Sequence, residues 1–434
     1  MLKNKRVFTL FCLLLTTNLS IAQVDRSAYH VKGLGTLYER GTAANFGKGG
    51  VGVSKPTPFQ VNMINPSLLV YNYITLFDIG LIGQSKVVLT DNSAEQFGSA
   101  NLAYLTFVFQ LDSGKWVTSI GLMPYTSVDY DNLNLYSEQG VPVLNSNTGE
   151  GGVNQVFWSN GFKPFDKINL SLGLKAAYLF GSIVQENIYR INDPALTTYP
   201  TSSIKRKKFS DFFLGTGAHY RFRFRADSVN GRLQKKFINI GANVEWTGNT
   251  NIDYYRALER LDPSGIANSS LNLADTLEDQ RTSVFIPPRY DIGFSYENEN
   301  KFSWEVDFTW QDWRKYENVE KSNESLNFYY KIASGIEWQP DFRSTSYLNR
   351  VFYRAGFSYI QTPYMFDDAI IEDFGINFGV GLPIGPVVRP SILNLGFRLG
   401  TTGTTAENLI RENYFQFLVG FNFLDKWFQR RRYN

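Results

Sequence analysis

Two histidines, His30 and His219, and one cysteine, Cys12, occur among the 434 residues of the chain. A His/Cys metal centre needs three or four such ligands brought together, so this chain does not encode one. No nucleophile motif surrounds His219, which leaves Ser-His and Asp-His chemistry without a partner. The run Gly47-Lys48-Gly49-Gly50 invites a phosphate-loop reading. It lacks the Walker spacing and the closing Gly-Lys-Ser/Thr that cradle phosphates. The residues therefore predict a protein without catalysis, metal or cofactor. What remains is charge set at alternate positions: Lys175; His219, Arg221 and Arg223; Glu245; Glu305 and Asp307; Arg354; and Arg398. In an enclosed space such groups pair with each other or with a plug. An arginine fork also suits a carboxylate ligand, and the sequence does not choose the arginine.

The segments carrying these charges alternate strictly. Phe302, Trp304, Val306, Phe308 and Trp310 interleave with Ser303, Glu305, Asp307, Thr309 and Gln311. Leu393, Leu395, Phe397 and Leu399 interleave with Asn394, Gly396, Arg398 and Gly400, and Phe415, Phe417, Val419, Phe421 and Phe423 share one face. Period two is the strand signal. A soluble sandwich would turn the large apolar face to a protein core; a membrane barrel turns it to lipid and its polar face to a wet lumen. Composition favours the barrel. Charged residues are 19%, aromatics 16% and mean hydropathy is −0.23, too polar for a bundle of membrane helices. After the N-terminus no segment supplies the ~20 consecutive apolar residues of a spanning helix.

Such runs number about fourteen. They fall near 72–85, 100–111, 115–130, 152–163, 167–185, 207–224, 235–250, 284–297, 301–315, 325–338, 349–361, 372–382, 390–401 and 412–423. The predicted fold is all-β, a transmembrane antiparallel barrel. Connections alternate between short turns, such as Asn298-Glu299-Asn300, and long loops, near 86–99, 131–151, 186–206, 251–283, 316–324, 362–371 and 402–411. In outer-membrane barrels the long loops are extracellular, which places the C-terminus in the periplasm. Tyr290, Tyr296, Trp304, Trp310, Trp313 and Trp338 fall toward strand ends, where aromatic girdles meet headgroups.

Lys3, Lys5 and Arg6, the apolar run Val7 to Leu15 and the small-x-small site Ser20-Ile21-Ala22 read as a secretory signal over 1–22. Its removal takes the formal charge from +3 to 3 − 3 = 0, so no basic excess points to nucleic acid. Cys12 leaves with it, and with Cys12 any disulfide. Residues 23–70 form a glycine-rich N-terminal segment, 71–423 the barrel, and 424–434 a basic aromatic tail suited to a lipid headgroup boundary.

Within the N-terminal segment the order is Gly33-Leu34-Gly35, Gly49-Gly50-Val51-Gly52, then Asn65-Pro66-Ser67-Leu68-Leu69. Together with Pro288-Arg289-Tyr290-Asp291-Ile292-Gly293 and Asp307-Phe308-Thr309-Trp310, this resembles the FadL-type outer-membrane transporters. The resemblance implies a fourteen-stranded barrel with residues 23–70 as a luminal hatch, closed by an Asn-Pro-Ala element in which Ser67 replaces the alanine. It implies uptake of hydrophobic or fatty-acid-like compounds, released sideways through a kinked third strand. Pro124 interrupts the third strand here, and proline removes a ladder donor. FadL-like barrels also serve as fixed subunits of envelope machines, including type IX secretion. The alternative expectation is thus a scaffold subunit of an outer-membrane assembly. Expected partners are outer-membrane lipid, with a hydrophobic small molecule or other outer-membrane proteins. The two readings divide on the hatch: a transporter needs it mobile, whereas a scaffold keeps it sealed.

Overall fold

The computed structural model describes residues 26–91, 93–112, 114–138, 140–165, 167–191, 199–229, 232–262, 275–319, 324–366, 368–385, 390–406 and 409–425. The expected signal at 1–22 and most of the expected tail at 424–434 lie outside them. The strands are β1 (Thr36–Leu37), β2 (Thr75–Leu89), β3 (Ala94–Asp112), β4 (Trp116–Glu138), β5 (Val141–Phe162), β6 (Leu170–Ile191), β7 (Thr201–Val229), β8 (Arg232–Trp246) and β9 (Gly248–Arg260). They continue as β10 (Asp275–Ile286), β11 (Arg289–Asn298), β12 (Phe302–Asp312), β13 (Phe328–Trp338), β14 (Phe352–Phe366), β15 (Ala369–Ile384), β16 (Ser391–Gly403) and β17 (Arg411–Asp425).

Each strand pairs with its antiparallel neighbour, and β17 returns to β2 along a ladder from Arg411↔Leu89 to Asp425↔Thr75. Closure leaves no edge for lipid to face, the condition for a sheet to span a bilayer. The wall is β2 to β8 and β11 to β17, a closed fourteen-stranded barrel. β9 and β10 prolong β8 and β11 beyond Thr247 and Pro287-Pro288 and pair with β7 and each other. The two prolines have no N–H to give, so the ladder restarts on their far side.

The alternation read from sequence becomes inside and outside. On β15, Phe374, Ile376 and Phe378 are exposed while Gly375, Asn377 and Gly379 face inward and are buried. Trp304, Trp310 and Trp338 are likewise exposed on the outer surface. Trp313 differs from expectation. The chain leaves β12 at Asp312 into a single helical turn, Trp313–Lys315, and the indole packs buried against Tyr316.

One rim carries mostly short turns, with Thr75 and Asp425 there. The opposite rim is uneven, because β4 to β7 are 22 to 29 residues long and β11 to β13 only 10 or 11. Several stretches expected as long loops are ladder instead. Residues 131–138 and 141–151 belong to the β4–β5 hairpin, paired from Asp131↔Thr148 to Glu138↔Val141. Strand above the bilayer need not present large apolar residues to lipid. Asn145-Ser146-Asn147-Thr148 therefore gives no period-two contrast, and the strand is invisible to that test.

Candidate functional site

The N-terminal segment descends through the lumen from the tall rim to β2. At the top, Ser27 Oγ donates to Glu412 Oε1 at 2.6 Å and Lys86 pairs with the same carboxylate at 2.9 Å. His30 Nδ1 accepts the backbone N–H of Asp129 at 3.1 Å, so this histidine is a structural latch onto β4. β1 then pairs antiparallel with Thr126 and Ser127 of β4. Gly33 and Gly35 both adopt positive φ, 65° and 75°, where the chain turns into this pairing. A Cβ on Gly35 would collide with the Ser127 carbonyl.

Below β1 the segment is fastened by charge. Glu39 accepts from Lys331 at 3.0 Å and Arg398 at 2.9 Å. Burial pushes its carboxyl upward, but the two cations outweigh that and hold it below the usual range. Arg40 lies 2.6 Å from Asp291 and 3.1 Å from Glu245, and Glu245 also takes Lys175 at 2.8 Å. A short helix, Ala43–Phe46, starts with the Ala43 N–H on Tyr104 Oη and ends with the Phe46 carbonyl accepting from Asn377. Lys48 is fully buried, and its Nζ lies 2.5 Å from Glu305 Oε1. Asp307 Oδ2 accepts the N–H groups of Gly52 at 2.6 Å and Val53 at 2.9 Å. Gly49 and Gly50 shape this bend at φ of 77° and 79°. Lys55 pairs with Glu337, which Arg354 holds from its other side at 2.6 Å.

Asn65-Pro66-Ser67 lies at the far end of the segment, against β5, β6 and β7. The Asn65 side chain donates to the Val53 and Ala218 carbonyls and accepts from the Ser67 N–H and hydroxyl, the latter at 2.6 Å. The hydroxyl that departs from the family's alanine thus adds a buried hydrogen bond. Pro66 opens the turn Pro66–Tyr71, where its missing N–H is not needed. Near this end Arg221 pairs with Glu297 and lies over Phe237. His219 sits buried between Tyr71 and Ser171, within 3.3 Å of each hydroxyl. Arg223, expected with these charges, is instead exposed toward the short-turn rim.

Contacts reach every wall strand, from Lys86 on β2 and Tyr104 on β3 to Glu412 on β17. Much of this closeness comes from inward glycines. Lys48 threads between Gly335 on β13 and Gly356 on β14, and a Cβ on either would strike its backbone. A Cβ on Gly161 or Gly173 would likewise strike the backbone of Pro66 or Ser67, and one on Gly217 the Asn65 side chain. Sequence reasoning grouped such glycines with the polar face and missed their purpose. It also missed Glu39, Arg40, Lys48 and Lys55 as the counter-charges, because nothing in their own spacing reports a partner as far as 359 residues away. A cavity of about 210 Å³ remains between residues 36–42 and the wall. It is lined by Glu39, Arg40, Arg289, Asp291, Lys331 and Arg398, along with Leu37, Ile82 and Leu418.

Pro124 lies in β4, two residues beyond the end of the β3–β4 ladder. The β3–β4 ladder runs from Asp112↔Trp116 to Leu105↔Leu122 and stops. Register with β5 slips between Pro124 and Thr126. Above that point the β4 edge turned toward β3 is met by β1, the Ser27 N–H on the Asp129 carbonyl and the Tyr38 N–H on the Tyr125 carbonyl.

A family model described as BamG matches residues 1–434. No curated protein matches the chain. Among solved structures, the CymD monoaromatic hydrocarbon channel aligns with a TM-score of 0.54 at 10% identity, covering 89% of this chain and 98% of that one. The Ralstonia pickettii toluene transporter TbuX gives 0.54 at 12%, over 88% and 98%. A Pseudomonas aeruginosa FadL homologue gives 0.53 at 12%, over 89% and 99%. At these identities the likeness establishes the fold alone, a FadL-type barrel.

Proposed function

Because this chain belongs to the BamG family, which is FadL-like, we propose that it is a plugged outer-membrane barrel serving as a fixed subunit of an outer-membrane protein assembly. The tall rim is extracellular, the C-terminus is periplasmic and residues 26–70 are the plug. The observation that carries this reading is the fastening of that segment. Buried pairs at Lys48–Glu305, Arg40–Asp291, Glu39–Arg398 and Lys55–Glu337 bind it to β12, β11, β16 and β13 of the wall. Releasing one buried partner costs ~3–5 kcal/mol, so simultaneous release along the axis is prohibitive. The proposal contains no catalytic step, since both histidines are engaged in structural contacts. The test is gentle detergent purification from native membranes, with mass spectrometry of proteins and small molecules. A stoichiometric complex supports the subunit reading; a lone barrel carrying an amphiphile refutes it.

A second reading, lateral uptake of a hydrophobic compound, has one observation in its favour: the β3–β4 ladder stops at Leu122, two residues before Pro124. Structural neighbours are named as hydrocarbon or toluene channels, which fits this route. Replacing Pro124 with Ala or Val should then change uptake of a hydrophobic probe into cells. Unchanged uptake removes the reading.

A further inference from the structure

The stop in the β3–β4 ladder has a consequence above the membrane. A transmembrane strand needs ~9–11 residues, and β4 has 23, from Trp116 to Glu138. Its last eight residues, Asp131 to Glu138, therefore stand outside the bilayer. They pair with β5 on one side, from Asp131↔Thr148 to Glu138↔Val141. On the other side, among the described residues, no ladder reaches them: β3 has left at Leu122 and β1 covers only Thr126 and Ser127.

Natural sheets blunt such an edge with lysine, proline or a covering loop. This one carries Asp131-Asn132-Leu133-Asn134-Leu135-Tyr136-Ser137-Glu138, without lysine or proline. Leu133 and Leu135 share one face and are 65% and 64% exposed, well away from lipid. The edge already accepts a strand just below, since β1 adds to it in antiparallel register. An edge that recruits one extended segment and stays open above it is a template for another.

Resting on the subunit reading above, we infer that the extracellular edge of β4, residues 131–138, docks an extended segment of a partner polypeptide by strand addition. The partner's chemistry follows from the edge. It needs apolar side chains at alternate positions to cover Leu133 and Leu135, and a basic residue near each end to meet Asp131 and Glu138. A second copy of this chain fits poorly. Antiparallel self-pairing over all eight residues sets Asp131 opposite Glu138 of the other copy, and like charges placed opposite repel.

The test uses the full-length protein purified as its native assembly and the same barrel stripped of partners by harsher detergent. Amide hydrogen exchange at 131–138 is expected to be at least tenfold slower in the assembly. The double variant Leu133→Lys/Leu135→Lys should still insert, with the heat-modifiable gel migration of a folded barrel, and lose at least tenfold of the co-purifying partner. An intact assembly with unchanged exchange overturns the edge inference and leaves the subunit reading standing. A lone barrel from native membranes overturns both. Protection accompanied by a homodimer mass shows a second copy at the edge and overturns the assignment of a distinct partner.

Discussion

Removing the Lys48 ammonium should unlock the plug. Lys48 is 1% exposed and lies against two wall glycines, with Nζ 2.5 Å from Glu305 Oε1. Among the described residues Glu305 Oε2 has no hydrogen-bond partner, so the carboxylate depends on that one lysine. Lys48→Met keeps most of the volume and leaves a buried uncompensated charge. Such a loss costs ~3–5 kcal/mol, or roughly 10²- to 10⁴-fold in the ratio of displaced to seated segment at ~1.4 kcal/mol per decade. The double variant Lys48→Met/Glu305→Met removes both charges and should restore seating, because a buried pair replaced by apolar groups is close to neutral. The assay is single-channel recording in planar bilayers, with open events expected for the single variant and suppressed in the double. If Lys48→Met stays as closed as the parent while folded, buried charge does not hold the plug and the reasoning fails.

Gly173→Leu should dislodge Asn65-Pro66-Ser67, since even a Cβ there meets the Ser67 backbone; protease cleavage within 26–70 should rise, while Gly98→Leu, with only one distant neighbour on the tall strands, serves as a control. Acid should also loosen the segment. Glu39 titrates below its unfolded value, so its contribution is complete above the ordinary carboxylate range of about 4.3 and is lost as pH falls through the lower folded value. Open probability should therefore climb only below about pH 4, and Glu39→Gln should show raised opening at neutral pH with a flatter acid response. Ser67→Ala removes one hydroxyl hydrogen bond to Asn65 and should lower stability by about 1 kcal/mol, read as a fall in the barrel's unfolding midpoint.

The strands were legible because lipid imposes a constant demand on one face of each. Phe302 to Trp310 and Phe415 to Phe423 could not serve any other surface so uniformly. Where lipid ends, the signal ends: Asn145 to Thr148 are strand by pairing alone. The lumen was half legible. Lys175, Glu305, Asp307, Arg354 and Arg398 announced themselves as charges on an inward face; Lys175 and Arg354 pair across the wall with Glu245 and Glu337, but the partners of Glu305, Asp307 and Arg398 include residues of a segment with no periodicity. The wall glycines were visible as small residues and not as contact points, because closeness to Lys48 or Ser67 is a property of the assembled barrel. Trp313 misled because a strand end and a helical turn after Asp312 read alike. Pro124 was legible as a break, though not what meets the edge above it.

The charged filling also constrains any passage. An apolar molecule moving down the axis would have to displace the segment that Lys48, Glu39, Arg40 and Lys55 hold, stripping Glu305, Glu245, Asp291 and Glu337 of a cation and Lys331 and Arg398 of a carboxylate at once. The cavity beside Glu39 and Arg40 mixes apolar side chains such as Leu37, Ile82 and Leu418 with ions such as Arg289, Asp291 and Arg398, and desolvating those ions against an apolar solute is unfavourable. The β3–β4 seam is different: there the ladder ends at Leu122, and opening it requires displacing β1, the Ser27 and Tyr38 backbone contacts, the His30 latch and the Arg26–Asp129 ion pair. Fastening along the axis thus favours the subunit reading, and the seam is the route that lateral uptake would need. If β1 stays paired to Thr126 and Ser127 through every functional state, as slow exchange of those amides would report, the barrel acts by its surface rather than its interior.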